Sequence, residues 1–217
     1  MLVGERMSKP VITITPQASL DDAWQLMSQE KISRLPVVDK KGKMVGIITE
    51  KQILRYSPSL ATTLDVYEIK GAMARMTVDK VMQTDVVTID ADTPIEEAAR
   101  IMEDSDISGI PVIEQNQLVG MITEADLFKA FLEVLGARLP GIRLAVLVSI
   151  GPGQLARLTQ AVFNAGGNII SLGTFSGPSS ETGEILMKVD GLSKDALVEL
   201  VKPYVVKILN VREKVIV

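Results

Sequence analysis

The strongest constraint on the fold of this chain is an internal repeat. Residues 11–39, VITITPQASLDDAWQLMSQEKISRLPVVD, align with residues 86–114, VVTIDADTPIEEAARIMEDSDISGIPVIE. After a turn that is one residue shorter in the second copy, MVGIITEKQIL (44–54) matches LVGMITEADLF (118–128). Two copies are too few for a solenoid, which needs about three repeats or more. The sequence therefore predicts a pseudo-symmetric pair of units.

Each copy contains a helix with apolar residues at the i, i+3, i+4, i+7 spacing of a core-facing stripe. In the second copy, Thr93, Pro94 and Glu96 predict an N-cap, a proline at the first helical position and a capping box. Ser19 and Asp22 form a weaker equivalent in the first copy. Both helices are thus predicted to begin at the same point of the repeat.

The strand signals complete each unit as β-α-β-β-α. A β-branched run precedes the helix, two short strands follow it, and a threonine then stands at the N-cap of a further helix. In the first copy these features are Val11–Ile14, Leu35–Val38, Met44–Ile48 and Thr49; in the second they are Val86–Ile89, Ile110–Ile113, Leu118–Ile122 and Thr123.

Composition narrows the classes of function. His and Cys are both absent, which excludes Ser–His and Cys–His nucleophile pairs, the usual zinc ligands and disulfides. Carboxylates such as Glu50, Glu124 and Asp126 remain available for catalysis, but acids are also favoured in the first turn of a helix. We therefore predict a protein that is not an enzyme and has no metal site.

Charge and hydropathy bear on partners and location. The net charge is −4 and no basic helix or stripe is present, so we expect no binding to nucleic acid. The start MLVGERMSKP lacks the apolar segment of a signal peptide. No uncharged run approaches the ~18 apolar residues of a membrane span. We expect a soluble, cytoplasmic protein that does not contact a membrane.

The pattern changes after RLPGIR, residues 138–143, which has the Pro and Gly of a domain boundary. Strands are predicted at 144–150, 169–175, 184–189 and 205–211, and helices at 153–165 and from Ser193 to about Lys202. The order β-α-β-β-α-β is that of the ferredoxin-like fold. The chain as a whole is therefore predicted to be α/β (α+β).

The paired units, with SRLPVVD, SGIPVIE and the two Gly-x-Ile-Thr-Glu stretches, resemble a tandem pair of CBS domains, a Bateman module. The resemblance divides the chain into a first CBS repeat at 1–60, a linker at 61–76 and a second CBS repeat at 77–137. It implies that AMP, ADP, ATP or a related adenosyl compound binds in the cleft between the copies and regulates a partner protein. The sequence identifies neither the adenosyl ligand nor that partner.

The resemblance also implies that each cleft site joins the Thr-x-x-Asp stretch of one copy to the first strand and pre-proline segment of the other. In the family that Asp holds the ribose diol, and an arginine suits a phosphate. The principal nucleotide site then comprises Ile122, Thr123, Ala125 and Asp126 with Thr13, Ile32, Ser33, Arg34 and Pro36.

The second site lacks both the Asp and the Arg, although Lys51 could supply charge, and we expect it to be weaker. It comprises Ile47, Thr49 and Gln52 with Val86, Val87, Ile107, Ser108 and Gly109. A second interpretation of the Asp/Gln difference remains open, because Thr-x-x-Asp and Thr-x-x-Gln are both capping boxes that need no ligand.

The stretch GPGQLARLTQAVFNAGGNIISL resembles an ACT domain, here at 142–217, a module that often binds an amino acid between paired copies. The family's acidic residue before Pro-Gly is Gly151 in this chain, a departure that weakens the expectation of amino-acid binding. A second explanation of the Gly, Pro and Asn residues in this stretch is that they form turns and bind no ligand. Residues that would line such a ligand are Pro152, Gly153, Gln154, Gly167, Asn168 and Ile169.

Two CBS copies followed by one ACT domain resemble the bacterial CBS–ACT proteins named for acetoin utilisation. We expect a non-catalytic regulatory sensor, with no catalytic cofactor, that forms a homodimer through the ACT domain. The alternative is an interaction or dimerisation module whose CBS cleft is unoccupied. Binding of a nucleotide separates the two hypotheses.

Overall fold

The computed structural model of the chain describes residues 1–56, 71 and 73–214. It divides into two compact units, Met1–Leu127 and Phe128–Val217. Most of the predicted linker at 61–76 lies outside the described residues, as do the last residues of both the first predicted repeat and the ACT segment. The predicted domain boundaries therefore stay predictions.

The first unit contains both copies of the repeat. Each copy has a helix, an antiparallel two-stranded hairpin and a second helix. The elements are α1 Val3–Arg6, α2 Leu20–Glu30, β1 Arg34–Val38, β2 Met44–Thr49, α3 Glu50–Tyr56, α4 Ile95–Asp104, β3 Gly109–Glu114, β4 Gln117–Thr123 and α5 Glu124–Val134, which continues past the division between the units.

The predicted first strands are reduced to single parallel pairings. Ile14 pairs with Val37, and Ile89 pairs with Val112. The next bond of a parallel ladder would need the backbone N–H of Pro36 or Pro111, and proline has none. The prolines of SRLPVVD and SGIPVIE thus end the ladder after one residue.

Each core is completed by residues that precede the other copy. Residues 3–8 pack on the second copy, where Val3 is fully buried, and residues 78–83 pack on the first, where Val78 is fully buried. The two segments occupy equivalent positions, 75 residues apart, just before the aligned part of the repeat. The two copies therefore exchange segments, and each core includes residues from the segment that precedes the other copy.

Backbone pairing anchors both exchanged segments to the hairpins. The Ser8 N–H donates to Met121 O at 2.8 Å, and the Gln83 N–H donates to Ile47 O at 2.9 Å. These are the second strands of the two hairpins, at equivalent positions of the repeat. The exchange is symmetric because an equivalent backbone hydrogen bond forms in each copy.

The glycine of each Gly-x-Ile-Thr-Glu stretch makes room for the exchanged segment. A Cβ on Gly46 would lie 2.8 Å from Met82 Sδ, and a Cβ on Gly120 would lie 2.7 Å from Met7 Cγ. Contacts this short are not tolerated by real Cβ atoms. This packing gives a physical reason for a glycine at this point in both copies.

The exchanged segment also changes the start of α4. The helix begins at Ile95, with Pro94 as its cap residue and no side-chain cap, so the predicted capping box at Thr93 and Glu96 is wrong. Thr93 O instead accepts a hydrogen bond from the Val3 N–H at 2.9 Å, and the Ile95 N–H donates to Met1 O at 3.2 Å. The N-terminal segment therefore satisfies a helix donor that a capping side chain would otherwise take.

The capping box predicted for the first copy is formed. Ser19 Oγ accepts from the Asp22 N–H at 3.0 Å, and Asp22 Oδ2 accepts from the Ser19 N–H at 3.0 Å and from Ser19 Oγ at 2.7 Å. The hydrogen bonds from Ser19 lower the pKa of the Asp22 carboxyl below its ordinary value of 3.8. The carboxylate form is therefore the one that stabilises the helix start.

We expect Ser19→Ala to lower the free energy of unfolding by about 1 kcal/mol at pH 7. A carboxyl with a lowered folded-state pKa stabilises above its unfolded pKa, and this contribution is lost as pH falls through the folded value. The difference between Ser19→Ala and the parent should shrink below pH 3.8. Urea unfolding of Ser19→Ala and the parent at pH 7 and at pH 2.5 measures this difference. An equal difference at the two pH values would contradict the role of Asp22.

The second unit has its elements in the predicted order β-α-β-β-α-β. They are β5 Gly141–Ser149, α6 Gln154–Asn164, β6 Asn168–Ser176, β7 Thr182–Asp190, α7 Lys194–Val201 and β8 Lys207–Lys214. The antiparallel sheet has the order β6-β7-β5-β8, and one of its faces packs with both helices around Leu144, Leu158 and Leu197. Among the helices of the described ranges, none is long and apolar enough to span a membrane.

Candidate functional site

The starts of α3 and α5, which the repeat aligns, have the same hydrogen-bond pattern but different side chains. In the second copy, Asp126 Oδ2 accepts from Thr123 Oγ1 at 2.7 Å and from the Thr123 N–H at 3.2 Å. In the first copy, Gln52 Oε1 accepts from the Thr49 N–H at 2.8 Å and from Thr49 Oγ1 at 3.0 Å. Both residues therefore act as helix caps.

The two caps differ in their hydrogen-bond acceptors. An amide has a single acceptor oxygen, and Gln52 uses it for both bonds to Thr49. A carboxylate has two acceptor oxygens, and the Thr123 N–H and Thr123 Oγ1 both donate to Oδ2 of Asp126. Asp126 is 5 % exposed, a setting in which its charge strengthens hydrogen bonds.

Arg34 reaches from the first copy to the second. Its Nη2 donates a hydrogen bond to Ser108 Oγ, and its guanidinium lies against Gly109, where a Cβ would come within 3.0 Å of Arg34 Cζ. Gly109 is the counterpart of Arg34 in the repeat. The side chain that is missing from one copy thus leaves space for the side chain that is present in the other.

The charge of Arg34 lies near the start of α5. Burial lowers the pKa of its guanidinium below the ordinary value, and the negative charge of Glu124 partly opposes this shift. A guanidinium remains charged at neutral pH. Because Glu124 is the first residue of the helix that also carries Asp126, a fixed positive charge faces this helix start.

The backbone places each pre-strand serine beside the helix start of its own copy. The Glu50 N–H donates to Ser33 O at 2.9 Å, and the Glu124 N–H donates to Ser108 O at 3.2 Å. The contacts of Arg34 with Ser108 and Gly109 connect the two copies. Ser33 thus lies next to the Gln52 helix, and Ser108 next to the Asp126 helix.

The remaining predicted residues divide by burial. Pro36, Ile47, Gly109 and Ile122 are buried, whereas Ser33, Val87 and Ala125 are exposed. Thr13, Ile32, Val86 and Ile107 are half-buried. Ile32 and Ser33 line a cavity of about 280 Å³ that also contacts Trp24, Met27 and Glu50. The assignment of these residues to two ligand sites stays a prediction.

The residues predicted to line an amino acid in the second unit lie at the two ends of one helix. Gln154 begins α6 and borders two cavities, of about 360 and 430 Å³. Gly167 and Asn168 follow the other end of α6, and a Cβ on Gly167 would lie 2.8 Å from Leu192 and Val162. An 11-residue helix is roughly 16 Å long, so a single chain does not bring the two groups together.

Two roles in the site are not apparent from motif reasoning, although both residues are among the candidates from the sequence. Gly109 accommodates Arg34, and the negative charge of Glu124 acts on the Arg34 guanidinium. The pairing of Arg34 with Gly109 in the aligned repeat is the signal that could have indicated the first. Within the described part of the chain, no cluster of acidic side chains could hold a metal ion.

The family assignment rests on the match of a family model to both copies of the repeat. The CBS domain model matches residues 3–59 and 78–133, more than half of the chain, and the protein belongs to the CBS domain family. Some relatives are enzymes that contain such domains. Inosine-5'-monophosphate dehydrogenase of Methanocaldococcus jannaschii is 33% identical over 154 residues, which cover 70% of this chain and 28% of that protein.

Two solved structures are similar to the CBS pair. The CBS domain pair of protein MJ0100, in complex with 5'-methylthioadenosine and S-adenosyl-L-methionine, has a TM-score of 0.51 and 30% identity, covering 64% of this chain and 98% of that one. A putative acetoin utilization protein (AcuB) from Vibrio cholerae has a TM-score of 0.53 and 25% identity, covering 64% and 95%. The chain spans 31% of the length of a further relative, protein MJ1404 of M. jannaschii, at 37% identity.

Proposed function

We propose that this protein is a non-catalytic sensor that binds an adenine nucleotide or a related adenosyl compound between its two CBS copies and regulates a partner. One principal site lies at the start of α5, around Asp126. The observation that supports this most strongly is the chemical difference between the two aligned helix starts, since the side chain bonded to Thr49 is an amide with one acceptor oxygen and the side chain bonded to Thr123 is a carboxylate with two.

The chemistry of a ribose suits the Asp126 cap. The vicinal hydroxyls of a ribose are donors, and a carboxylate accepts charge-assisted hydrogen bonds, which are about twice as strong as neutral ones. Thr123 fixes the orientation of the carboxylate by bonding to Oδ2. The side chain is therefore held in place before a ligand arrives, which reduces the entropy cost of binding.

Arg34 suits the charged end of an adenosyl ligand. A guanidinium has five N–H donors, and the bond to Ser108 takes one of them. Phosphates and carboxylates both accept paired bonds from such a group. Since Arg34 belongs to one copy and Ser108 to the other, a ligand at this residue would bias how the copies pack, which is what a regulatory site requires.

The MJ0100 pair supports the ligand class, because that CBS pair was solved with two adenosyl compounds at 30% identity to this chain. We extend the ligand class, and not the particular compound, to this protein. The alternative, an interaction module with an unoccupied cleft, is favoured only by the Thr–Asp bonds, which form without a ligand.

For the second unit we propose an ACT domain of the ferredoxin-like fold that pairs with a second copy. The sheet order β6-β7-β5-β8 and the two helices on one face support this assignment. The predicted amino-acid residues lie at opposite ends of α6. Pairing of two chains is therefore required for a complete amino-acid site, and a homodimer is the assembly we propose.

The ligand class is tested first by thermal unfolding. Ligand at 100 times its Kd stabilises the folded state by about 2.7 kcal/mol, which raises the melting temperature of a chain of this size by about 5–10 °C. We expect such a rise from at least one of AMP, ADP, ATP, NADH and S-adenosylmethionine. If none of them raises the melting temperature by more than about 1 °C, the interaction module is the correct description.

A further inference from the structure

A row of basic side chains crosses the sheet of the second unit. Arg143 on β5 pairs directly with Lys188 on β7 and with Arg212 on β8, and Lys188 pairs with Ser171 on β6. The row therefore consists of three basic residues and Ser171, one from each of the four strands. Because side chains alternate along a strand, these residues lie on the face opposite to the core residues Leu144 and Met187, which pack with the helices.

This arrangement is unfavourable without an anion. Like charges directly opposite each other on neighbouring strands destabilise a sheet, and here three follow one another. Within the described ranges, neither Arg143 nor Arg212 forms an ion pair with a carboxylate, and Arg143 donates only to Asn210 Oδ1, at 3.3 Å. Among the described residues, neither arginine therefore has a carboxylate partner.

The row lines a cavity of about 420 Å³. All four of its members border this cavity, and among the other lining residues Leu135, Ala137 and Leu186 are apolar, whereas Glu213 is acidic. Binding sites for small molecules are typically apolar with a few well-placed polar groups. The cavity therefore offers a basic side and an apolar side.

The segment that forms the apolar side is held in place by the row itself. Lys188 is 5 % exposed, and its Nζ donates to Gly136 O at 2.8 Å and also to Leu139 O. Ser171 Oγ donates to Leu135 O at 3.0 Å. These bonds fix the residues after α5 over the sheet, so that the cavity is formed before any ligand binds.

From these features we propose a second ligand site, distinct from the CBS cleft and from the turns at Gln154 and Asn168, that takes a small carboxylic acid with a short apolar chain. The carboxylate lies against the guanidinium of Arg143, with Arg212 beside it, since arginine binds carboxylates through paired hydrogen bonds. The chain lies against Leu135 and Leu186. The proposal does not depend on nucleotide binding at Asp126.

The test is an NMR titration of the full-length protein with sodium butyrate and, separately, with sodium acetate at 0.15 M ionic strength. We expect butyrate to shift the amide signals of Ser171, Leu186 and Lys188 in a saturable way. It should bind about tenfold more tightly than acetate, because it has two more methylene groups to bury.

Three variants separate the site from general charge attraction. Arg143→Gln should weaken butyrate binding by about tenfold or more, because a charge-assisted pair is lost, and Glu213→Gln should strengthen it. Lys207→Gln, which removes the same charge from the same sheet outside the cavity, should change it less than about twofold. Arg143 and Lys207 are both exposed, so both variants are expected to fold, and their amide spectra verify it.

The proposal is overturned if butyrate leaves these signals in place, or if Arg143→Gln and Lys207→Gln weaken binding equally. Inorganic phosphate serves as the remaining probe. If phosphate binds at the same signals as tightly as butyrate and also depends on Arg143, the assignment to a carboxylic acid with an apolar chain is wrong.

Discussion

Replacing Asp126 by Asn is expected to weaken binding of the adenosyl ligand about 100-fold or more, because a carboxylate that accepts two ribose hydroxyls is lost. Gln52→Ala should change the affinity less than about threefold. Asn retains one acceptor oxygen, so Asp126→Asn can keep the cap to Thr123 and gives the second copy the acceptor chemistry that Gln52 has in the first. Fluorescence-detected titration of the purified variants measures both affinities.

The melting temperature without ligand is the control for this comparison. Asp126→Asn can keep both bonds to Thr123, which need only one acceptor oxygen, so we expect it to fold, and its melting temperature without ligand verifies this. If this variant binds the ligand as tightly as the parent, Asp126 is a helix cap and nothing more. If Gln52→Ala removes binding instead, the principal site lies at the start of α3.

Replacing Val3 by Asp is expected to lower the free energy of unfolding of the first unit by about 4 kcal/mol, since burying an unpaired charge is among the most destabilising changes known. Val3 is fully buried in the core of the second copy, together with Ile110 and Ile122. Urea unfolding followed by circular dichroism measures the change.

Val87→Asp is the matched control, because it introduces the same charge in the second copy at a position that is 41 % exposed. We expect it to change the free energy of unfolding by less than about 0.5 kcal/mol. Equal effects of the two substitutions would contradict the packing of residues 3–8 in the core of the second copy.

The sequence predicts elements well where local signals and the repeat agree. The hairpins, the helices around Met27 and Met102 and the six elements of the second unit lie within a few residues of their predicted positions. In each case an apolar period matches a buried face, so the local preference and the tertiary packing favour the same structure.

The exchange of segments is beyond such local reasoning. Residues 3–8 carry a short helix whose destination is set by contacts with Ala91, Thr93 and Met121. No periodicity within the segment indicates which copy it joins. The same contacts displace the predicted cap of α4, so one missed long-range pairing accounts for a second, local error.

The site shows the same division between chemistry and placement. The difference between Asp126 and Gln52 is readable from the aligned repeat, and so are their threonine partners. The position of Arg34 over Gly109 depends on how the two copies approach each other, which the sequence of either copy leaves open. The cation row at Arg143 is likewise invisible before strand register is known.

The most direct test of the central claim is the number of adenosyl molecules bound per chain, measured by isothermal titration calorimetry with the compound that raises the melting temperature most. The account predicts one molecule per chain for the parent and for Gln52→Ala, and no detectable heat for Asp126→Asn at the same concentrations. Two equivalent molecules per chain, or one that persists in Asp126→Asn, would contradict a single principal site built around Asp126.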